Sequence, residues 1–224
     1  MADPQQIPLL ADHNGRFRHT FGGLLKASVL HKKAFEAQVY QELKAQILFW
    51  KTKIKDERPL CVDSHQHTHM IPAVFRMLLK VLREEHLKPT HMRIPAEPLL
   101  PYIQTPSLYF TYHPVNLAKQ WILKFFWLIN RPQAREQRIP VSYFIGILFS
   151  GKMDEKRVSA VLPKYIKLAQ KKEQDIEVLF HPGYLEEKEP NFKNENIVFK
   201  HFYISQNRKT EFDSAMKLSE RSVR

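Results

Sequence analysis

Short apolar runs alternate with longer helical patterns along this chain of 224 residues, and this alternation constrains the fold more than any other feature. The runs lie in "LCV", "THMRIP", "VSYFIGILFSG" and "DIEVLFHPGY", and each is about as long as a buried strand. Strands that alternate with helices are typical of parallel βαβ units, because a parallel neighbour requires a crossover connection. The sequence therefore predicts an α/β fold, in which polar residues that follow a strand are candidates for a functional site.

The helices are predicted from apolar residues at three- and four-residue spacing and from prolines at helix starts. Residues 1–24 contain the turn signals "NG" and "GG" and are predicted to form a loop. The segment from Ala96 to Pro106 is predicted to form a proline-rich loop. The predicted helices are one long amphipathic helix from Leu25 to Lys53, one that begins at Pro72, two that cover 116–130 and 154–172, and one that begins at Asn207.

The composition favours a folded protein without disulfides. Hydrophobic residues make up 43% of the chain and aromatic residues 12%, which is enough for a sizeable core. Cys61 is the one cysteine, so neither an internal disulfide nor a four-cysteine zinc site can form, and a cytoplasmic location is expected. At this length we predict a single domain over residues 1–224.

The most apolar segment and the net charge bear on the choice of partners. The segment "NLAKQWILKFFWLIN" (116–130) is too short to span a bilayer and contains two lysines, so no membrane span is expected. It is predicted to pack against the domain or a second subunit, which leaves a homodimer open, and a place on a membrane surface is the alternative. The net charge of +12 is spread along the chain without a nucleic-acid-binding motif, so no nucleic acid is expected as a partner.

Three histidines at alternate positions follow the first predicted strand. In "CVDSHQHTHM" they are His65, His67 and His69, and Asp63 stands in front of them. Strand-like alternation would place the three imidazoles on one face, whereas a strand that has already ended would place them on the following loop. Neutral imidazole is a good ligand for divalent metals, and a carboxylate can join it or orient it. The motif therefore predicts a metal or proton-transfer site, with a solvated loop or strand edge as the alternative.

Two further residues follow predicted strands and could take part in chemistry. His181, in "FHPGY", ends an apolar run before a Pro-Gly turn, so its ring could face a pocket and transfer a proton, although a buried structural histidine would show the same pattern. Arg93, after "THM", could bind an anion or a developing oxyanion, although such an arginine is more often a salt-bridge residue. We expect Asp63, His65 and His181 to converge on one cavity at the carboxyl ends of the strands.

Three motifs of the chain together resemble one known family. The motifs "CVDSHQHTHMIPAVFRML", "THMRIPAEP" and "EVLFHPGY" resemble those of the YdjC/ChbG family of carbohydrate deacetylases, and their order and spacing fit. The resemblance extends to "QELKAQILFW" before the first motif and to "YISQNRKTEF" near the end. It implies a TIM-like (β/α) barrel and a metal-dependent hydrolase that removes N-acetyl groups from amino sugars such as chito-oligosaccharides.

The resemblance also implies roles for particular residues. The family holds a divalent metal, Mg²⁺ or Zn²⁺, with an aspartate and two histidines, so that His65 would be a metal ligand. His181 would be the proton donor or its close support, and Asp63 would lie beside the metal and take part in catalysis. The residues expected around the metal or the small carbohydrate substrate are His67, His69, Arg93, Gly183 and Tyr184.

The chain departs from the family pattern near its beginning. The family starts with a strand that ends in an Asp-Asp pair, which supplies a metal ligand and the general base, and a later Gly-x-His segment supplies the other histidine ligand. Neither is found before residue 60, so the chain resembles an N-terminally truncated deacetylase with a barrel incomplete on that side. We expect little or no deacetylase activity from it. The alternatives are a non-catalytic barrel remnant that binds sugar, phosphate or nucleic acid, and a non-functional fragment.

Overall fold

The chain consists of two compact units. The computed structural model describes residues 1–53, 59–183, 201 and 204–222. The first unit is formed by Met1–Ile94 and Leu123–Ser142, and the second by Pro95–Ile122 and Tyr143–Arg224. Each unit contains one pair of parallel strands among its described residues.

Helices account for most of the described residues. The α-helices are α1 (Phe21–Leu30), α2 (Lys32–Lys53), α3 (Pro72–Glu84), α4 (Leu100–Ile103), α5 (Pro114–Glu136), α6 (Glu155–Lys172) and α7 (Asn207–Ser222). Three 3-10 helices are formed by Pro4–Gln6, His65–Met70 and Pro106–Thr111. The strands are β1 (Cys61–Val62), β2 (His91–Met92), β3 (Tyr143–Ile145) and β4 (Ile176–Val178).

In the first unit, β1 and β2 pair so that Cys61 lies opposite His91 and Val62 opposite Met92. The helix α3 begins at Pro72, as predicted, because the fixed φ of proline suits the first helical turn. One apolar face of α3 is buried, and α2 packs beside it. The core of this unit is formed by Ile7, Leu10, Phe35, Val39, Ile71, Val74 and Phe126 together with small neighbours.

In the second unit, β3 and β4 pair so that Tyr143 lies opposite Ile176 and Ile145 opposite Val178. The helix α6 continues through Pro163, as predicted, and its start is capped by Asp154, whose side chain accepts a hydrogen bond from the Arg157 N–H. Both α4 and α7 contact α6. The core of this unit is formed by Tyr102, Leu108, Ile145, Leu148, Phe149, Met153, Val161 and Tyr165.

The helix α5 contains the apolar segment predicted to be helical and extends it at both ends. It buries Leu123 and Phe126, whereas Trp121 and Phe125 are each 60% exposed. No helix in the described ranges is both long enough and apolar enough to span a bilayer. Exposure of Trp121 and Phe125 does not test whether a second subunit packs against them, so the homodimer stays a prediction.

The single long helix predicted from Leu25 to Lys53 is wrong. It is broken at His31, which has non-helical angles of φ −124° and ψ 38° between α1 and α2. In addition, α1 begins at Phe21, inside the predicted loop. Both glycines of the "GG" pair are thus part of a helix and not of a turn. The ring of His19 packs against Gly23, where a Cβ would lie 3.0 Å from its Nδ1, whereas a Cβ on Gly22 would meet nothing within 4 Å.

The predicted α/β class agrees with the parallel strand pairs and the predominance of helix. The strands are shorter than predicted, and α4 forms within the segment predicted to be a proline-rich loop. The four strands of the described residues make two separate pairs, and they do not close into a barrel. The TIM-like (β/α) barrel is therefore not confirmed, and a single domain over 1–224 stays a prediction.

Candidate active-site residues

The histidine motif leaves β1 as a 3-10 helix and not as a continued strand. Ser64 precedes this helix in an extended conformation. Gln66 and His67 have positive φ angles of 53° and 58°, so the backbone is kinked and successive side chains do not alternate between two faces. The strand-like arrangement of the three imidazoles is therefore wrong, and the motif lies on the loop that follows the strand.

The ring of His69 is fixed between the segments that follow β1 and β2. His69 is 2% exposed, and its Nε2 lies 2.7 Å from the carbonyl oxygen of Arg93. Its Nδ1 lies 2.7 Å from the hydroxyl oxygen of Ser64. Because a carbonyl oxygen can only accept, Nε2 carries the ring proton, and Nδ1 of the neutral ring accepts from Ser64. Both ring nitrogens are engaged within the protein, which suits a positioning role better than metal ligation.

Asp63 and Arg93 form an ion pair at the ends of the two paired strands. Nη1 of Arg93 contacts Oδ2 of Asp63, and Oδ1 of Asp63 lies 4.0 Å from Nδ1 of His67. The parallel register explains the contact, because Val62 lies opposite Met92 and the next residue of each strand follows at the same edge. The Asp63 side chain is 42% exposed, so the pair is open to a ligand.

The imidazoles and the carboxylate suit a divalent cation in type but not in number. His65 is exposed at the start of the 3-10 helix and is the most accessible imidazole of the motif. Within the described ranges, no three histidine, cysteine, aspartate or glutamate side chains come together in a group that could hold a metal ion. The described residues therefore fit one part of a metal site, with His65 as its accessible donor.

His181 lies in the second unit, where it follows β4. Oε2 of Glu211 accepts a hydrogen bond from the backbone N–H of His181 and lies 3.5 Å from Nδ1 of its ring. Oε1 of Glu211 accepts from the backbone N–H of Met153 at 3.1 Å. The Glu211 side chain is 1% exposed and that of His181 is 31% exposed. A buried carboxylate thus supports a histidine that is accessible to a ligand.

Arg208 holds the His-Pro-Gly turn (residues 181–183) from the same helix. Its guanidinium donates to the carbonyl oxygens of His181 and Pro182 at 3.3 and 3.0 Å. Gly183 has a φ of +154°, and a Cβ there would lie 2.4 Å from Nη2 of Arg208, so only glycine fits this turn without a shift. Tyr184 lies outside the described residues.

Glu97 is a buried carboxylate that the sequence analysis missed. It is fully buried in the second unit, where Oε1 accepts from the backbone N–H groups of Gly146 and Ile147 and Oε2 from that of Leu148, at 2.5, 2.9 and 3.1 Å. Burial raises the pKa of Glu97 to about 7, against the opposing effect of these three hydrogen bonds. Burial of Tyr102 itself and, as the next largest cause, the charge of Glu97 raise the pKa of Tyr102 well above its usual value. Glu97 therefore holds the turn that follows β3.

Neither Glu97 nor Glu211 carries a local signature that marks it as buried. The spacing of Arg208 and Glu211 in "NRKTEF" puts both on one face of a predicted helix. This spacing was the one available sequence signal for Glu211. The structure brings Asp63, Arg93, His67 and His69 together in the first unit and His181 with Glu211 in the second. The convergence of His65 and His181 on one cavity stays a prediction.

The features described so far define a parallel α/β protein with histidines and carboxylates at the ends of its strands. A family model described as YdjC-like protein matches residues 1–221. The chain therefore belongs to the YdjC-like family, and the family suggests a hydrolase of the carbohydrate deacetylase type. No curated protein and no solved structure matches the chain.

Proposed function

We propose that the chain acts as a metal-dependent carbohydrate deacetylase that hydrolyses the N-acetyl groups of amino sugars such as chito-oligosaccharides. The observation that carries this proposal is the family match over residues 1–221, which includes both histidine motifs. The reaction adds water to the acetamide carbon and breaks the C–N bond, so that acetate and a free amine are released. The residues described above are assigned to the steps of this reaction according to their contacts.

We assign metal binding to His65, with Mg²⁺ or Zn²⁺ as the ion. A metal of this kind polarises a carbonyl oxygen and lowers the pKa of a bound water. The accessible imidazole of His65 supports the assignment, and His65 is two residues from Asp63 in the sequence. His69 contributes indirectly, because its two ring hydrogen bonds fix the loop on which His65 is carried.

Arg93 and Asp63 have complementary roles in the proposed reaction. The guanidinium of Arg93 is a donor for the negative charge that develops on the acetamide oxygen. Asp63 is an accessible carboxylate that can accept a proton from the attacking water. His67, whose Nδ1 lies 4.0 Å from Asp63, borders the same carboxylate.

We assign the protonation of the leaving amine to His181. Amine nitrogen leaves a tetrahedral carbon only when a proton is delivered to it, and histidine is the side chain best suited to this transfer near neutral pH. His181 is accessible and is held on both sides of its backbone by Arg208 and Glu211. We propose slow turnover, because the sequence before residue 60 lacks the Asp-Asp pair and the Gly-x-His segment that would supply the general base and further metal ligands.

The experiment that tests the function is acetate release from N-acetylated chito-oligosaccharides of two to five sugars, with Mg²⁺ or Zn²⁺ and with a chelator. We expect slow release that requires the metal and is accompanied by an equal amount of free amine. A chain that binds the oligosaccharides without any release would support the sugar-binding alternative. Binding of phosphate or nucleic acid in place of the sugar would contradict the proposed substrate class.

A further inference from the structure

We infer that Glu211 is a positioning residue for His181, which it holds as the tautomer with the proton on Nδ1, so that Nε2 exchanges the proton with the substrate. The catalytic part of this inference rests on the proposed function, whereas the tautomer does not.

The carboxylate of Glu211 is held at both oxygens. The backbone N–H of Met153 donates to Oε1 at 3.1 Å, and the backbone N–H of His181 donates to Oε2. The side chain is 1% exposed, so water does not compete for these positions. The two donors come from different segments, the turn before α6 and the segment after β4. Glu211 therefore has a fixed position relative to the backbone of His181.

The same oxygen of Glu211 faces both the backbone and the ring of His181. Oε2 accepts the backbone N–H and lies 3.5 Å from Nδ1, which is within ion-pair distance. A carboxylate can only accept, so a proton on Nδ1 is favoured over a lone pair there. An isolated imidazole side chain prefers the proton on Nε2, so the predicted tautomer reverses the intrinsic preference and depends on Glu211.

With Nδ1 facing Glu211, Nε2 is the ring nitrogen that exchanges the proton with the substrate. In the proposed reaction, imidazolium His181 transfers the Nε2 proton to the amine nitrogen as the C–N bond breaks, and the neutral ring keeps its proton on Nδ1. Arg208 lies at the same turn, and its guanidinium contacts the carbonyl oxygens of His181 and Pro182.

The tautomer can be measured without any enzyme activity. Nitrogen chemical shifts of ¹⁵N-histidine-labelled protein distinguish a protonated Nδ1 from a protonated Nε2, and His181→Asn assigns the signal. We expect the neutral His181 of the wild-type chain to carry its proton on Nδ1. We expect Glu211→Gln to lower the population of this tautomer, because the amide cannot accept at both of its ends. Asp213→Asn is the matched control, since Asp213 is exposed on the same helix and its change removes the same charge.

Two results would overturn the inference. One is a wild-type His181 with its proton on Nε2, and this result holds even if the Glu211→Gln variant does not fold. The other is a folded Glu211→Gln variant whose tautomer equals that of the wild type. Folding is checked by circular dichroism.

The catalytic consequence is measured on acetate release. We expect Glu211→Gln to lower kcat by roughly tenfold to a hundredfold with little change in KM. Asp213→Asn should change neither. A Glu211→Gln variant with wild-type kcat would contradict the positioning role. Absence of release from the wild type would count against the proposed function, and the tautomer would still decide the role of Glu211.

Discussion

The Nε2 atom of His69 lies 2.7 Å from the carbonyl oxygen of Arg93, and this contact joins the segments that follow two parallel strands. The ring is buried, and Ser64 engages its other nitrogen at 2.7 Å. The hydroxyl of Ser64 also accepts from the backbone N–H of His69 at 2.9 Å. One histidine of the motif therefore holds the loop in place, while His65 on the same loop is exposed.

We expect His69→Ala to lower the free energy of unfolding by about 2–4 kcal/mol, because it removes two buried hydrogen bonds and leaves their partners unsatisfied. The matched control is His65→Ala, which changes an exposed side chain of the same motif and should stay within about 0.5 kcal/mol of the wild type. Urea unfolding followed by circular dichroism measures both. Equal effects of the two changes would contradict the distinction between them.

We expect Gly146→Ala to destabilise the second unit by roughly 2 kcal/mol or more, since φ at this residue is +150° and a Cβ would lie 2.8 Å from that of Leu179. Gly22→Ala is the control, because a Cβ at Gly22 meets nothing within 4 Å in α1 and alanine favours helix by up to about 1 kcal/mol. The thermal unfolding midpoint should therefore fall for the first variant and stay level or rise for the second. A tolerated Gly146→Ala would show that the turn after β3 can open.

Glu97 should make the stability of the chain depend on pH near neutrality. Its pKa is about 7 in the folded chain, against an ordinary glutamate pKa of 4.5, so the unfolded chain loses this proton at a lower pH. The stability contributed by the protonated carboxyl is fully present below about pH 4.5 and is lost as the pH rises to about 7. The loss is of the order of 3 kcal/mol by the usual conversion of a pKa shift.

We expect Glu97→Gln to remove this pH dependence. Between pH 5 and pH 7.5 the unfolding free energy of the wild type should fall relative to that of Glu97→Gln, because the glutamine has no charge to bury. Glu136→Gln, a change of an exposed carboxylate on α5, serves as the control and should leave the profile unaltered. Urea unfolding at several pH values gives the curves. Parallel curves for wild type and Glu97→Gln would contradict a titration of Glu97 in this range.

The positions of most helices and strands were predictable because their signals are local. Pro72 marks the start of α3 and the apolar periodicity of 154–172 marks α6, and both helices form as predicted. The break at His31 was not predictable, since its neighbours are good helix formers and no glycine or proline stands there. Tertiary packing overrides local propensity in this segment.

The candidate site was predictable only in part. The sequence marked Asp63, Arg93 and the histidines, because they follow apolar runs. Glu97 and Glu211 were missed, since each acquires its role from backbone N–H groups that are distant in sequence. A glutamate in a loop or on an amphipathic helix normally indicates an exposed position, so burial of this kind requires coordinates.

The most direct test of the central claim compares acetate release by the wild type, His65→Ala, His181→Ala and His13→Ala on N-acetylated chito-oligosaccharides with Mg²⁺ or Zn²⁺. His13 is an exposed histidine outside the motifs, and its change is the control. We expect metal-dependent release by the wild type and the control, and a loss of at least roughly a hundredfold in the other two variants. Release that is equal in all four proteins, or that is absent from the wild type with both metals, would contradict the proposed deacetylase.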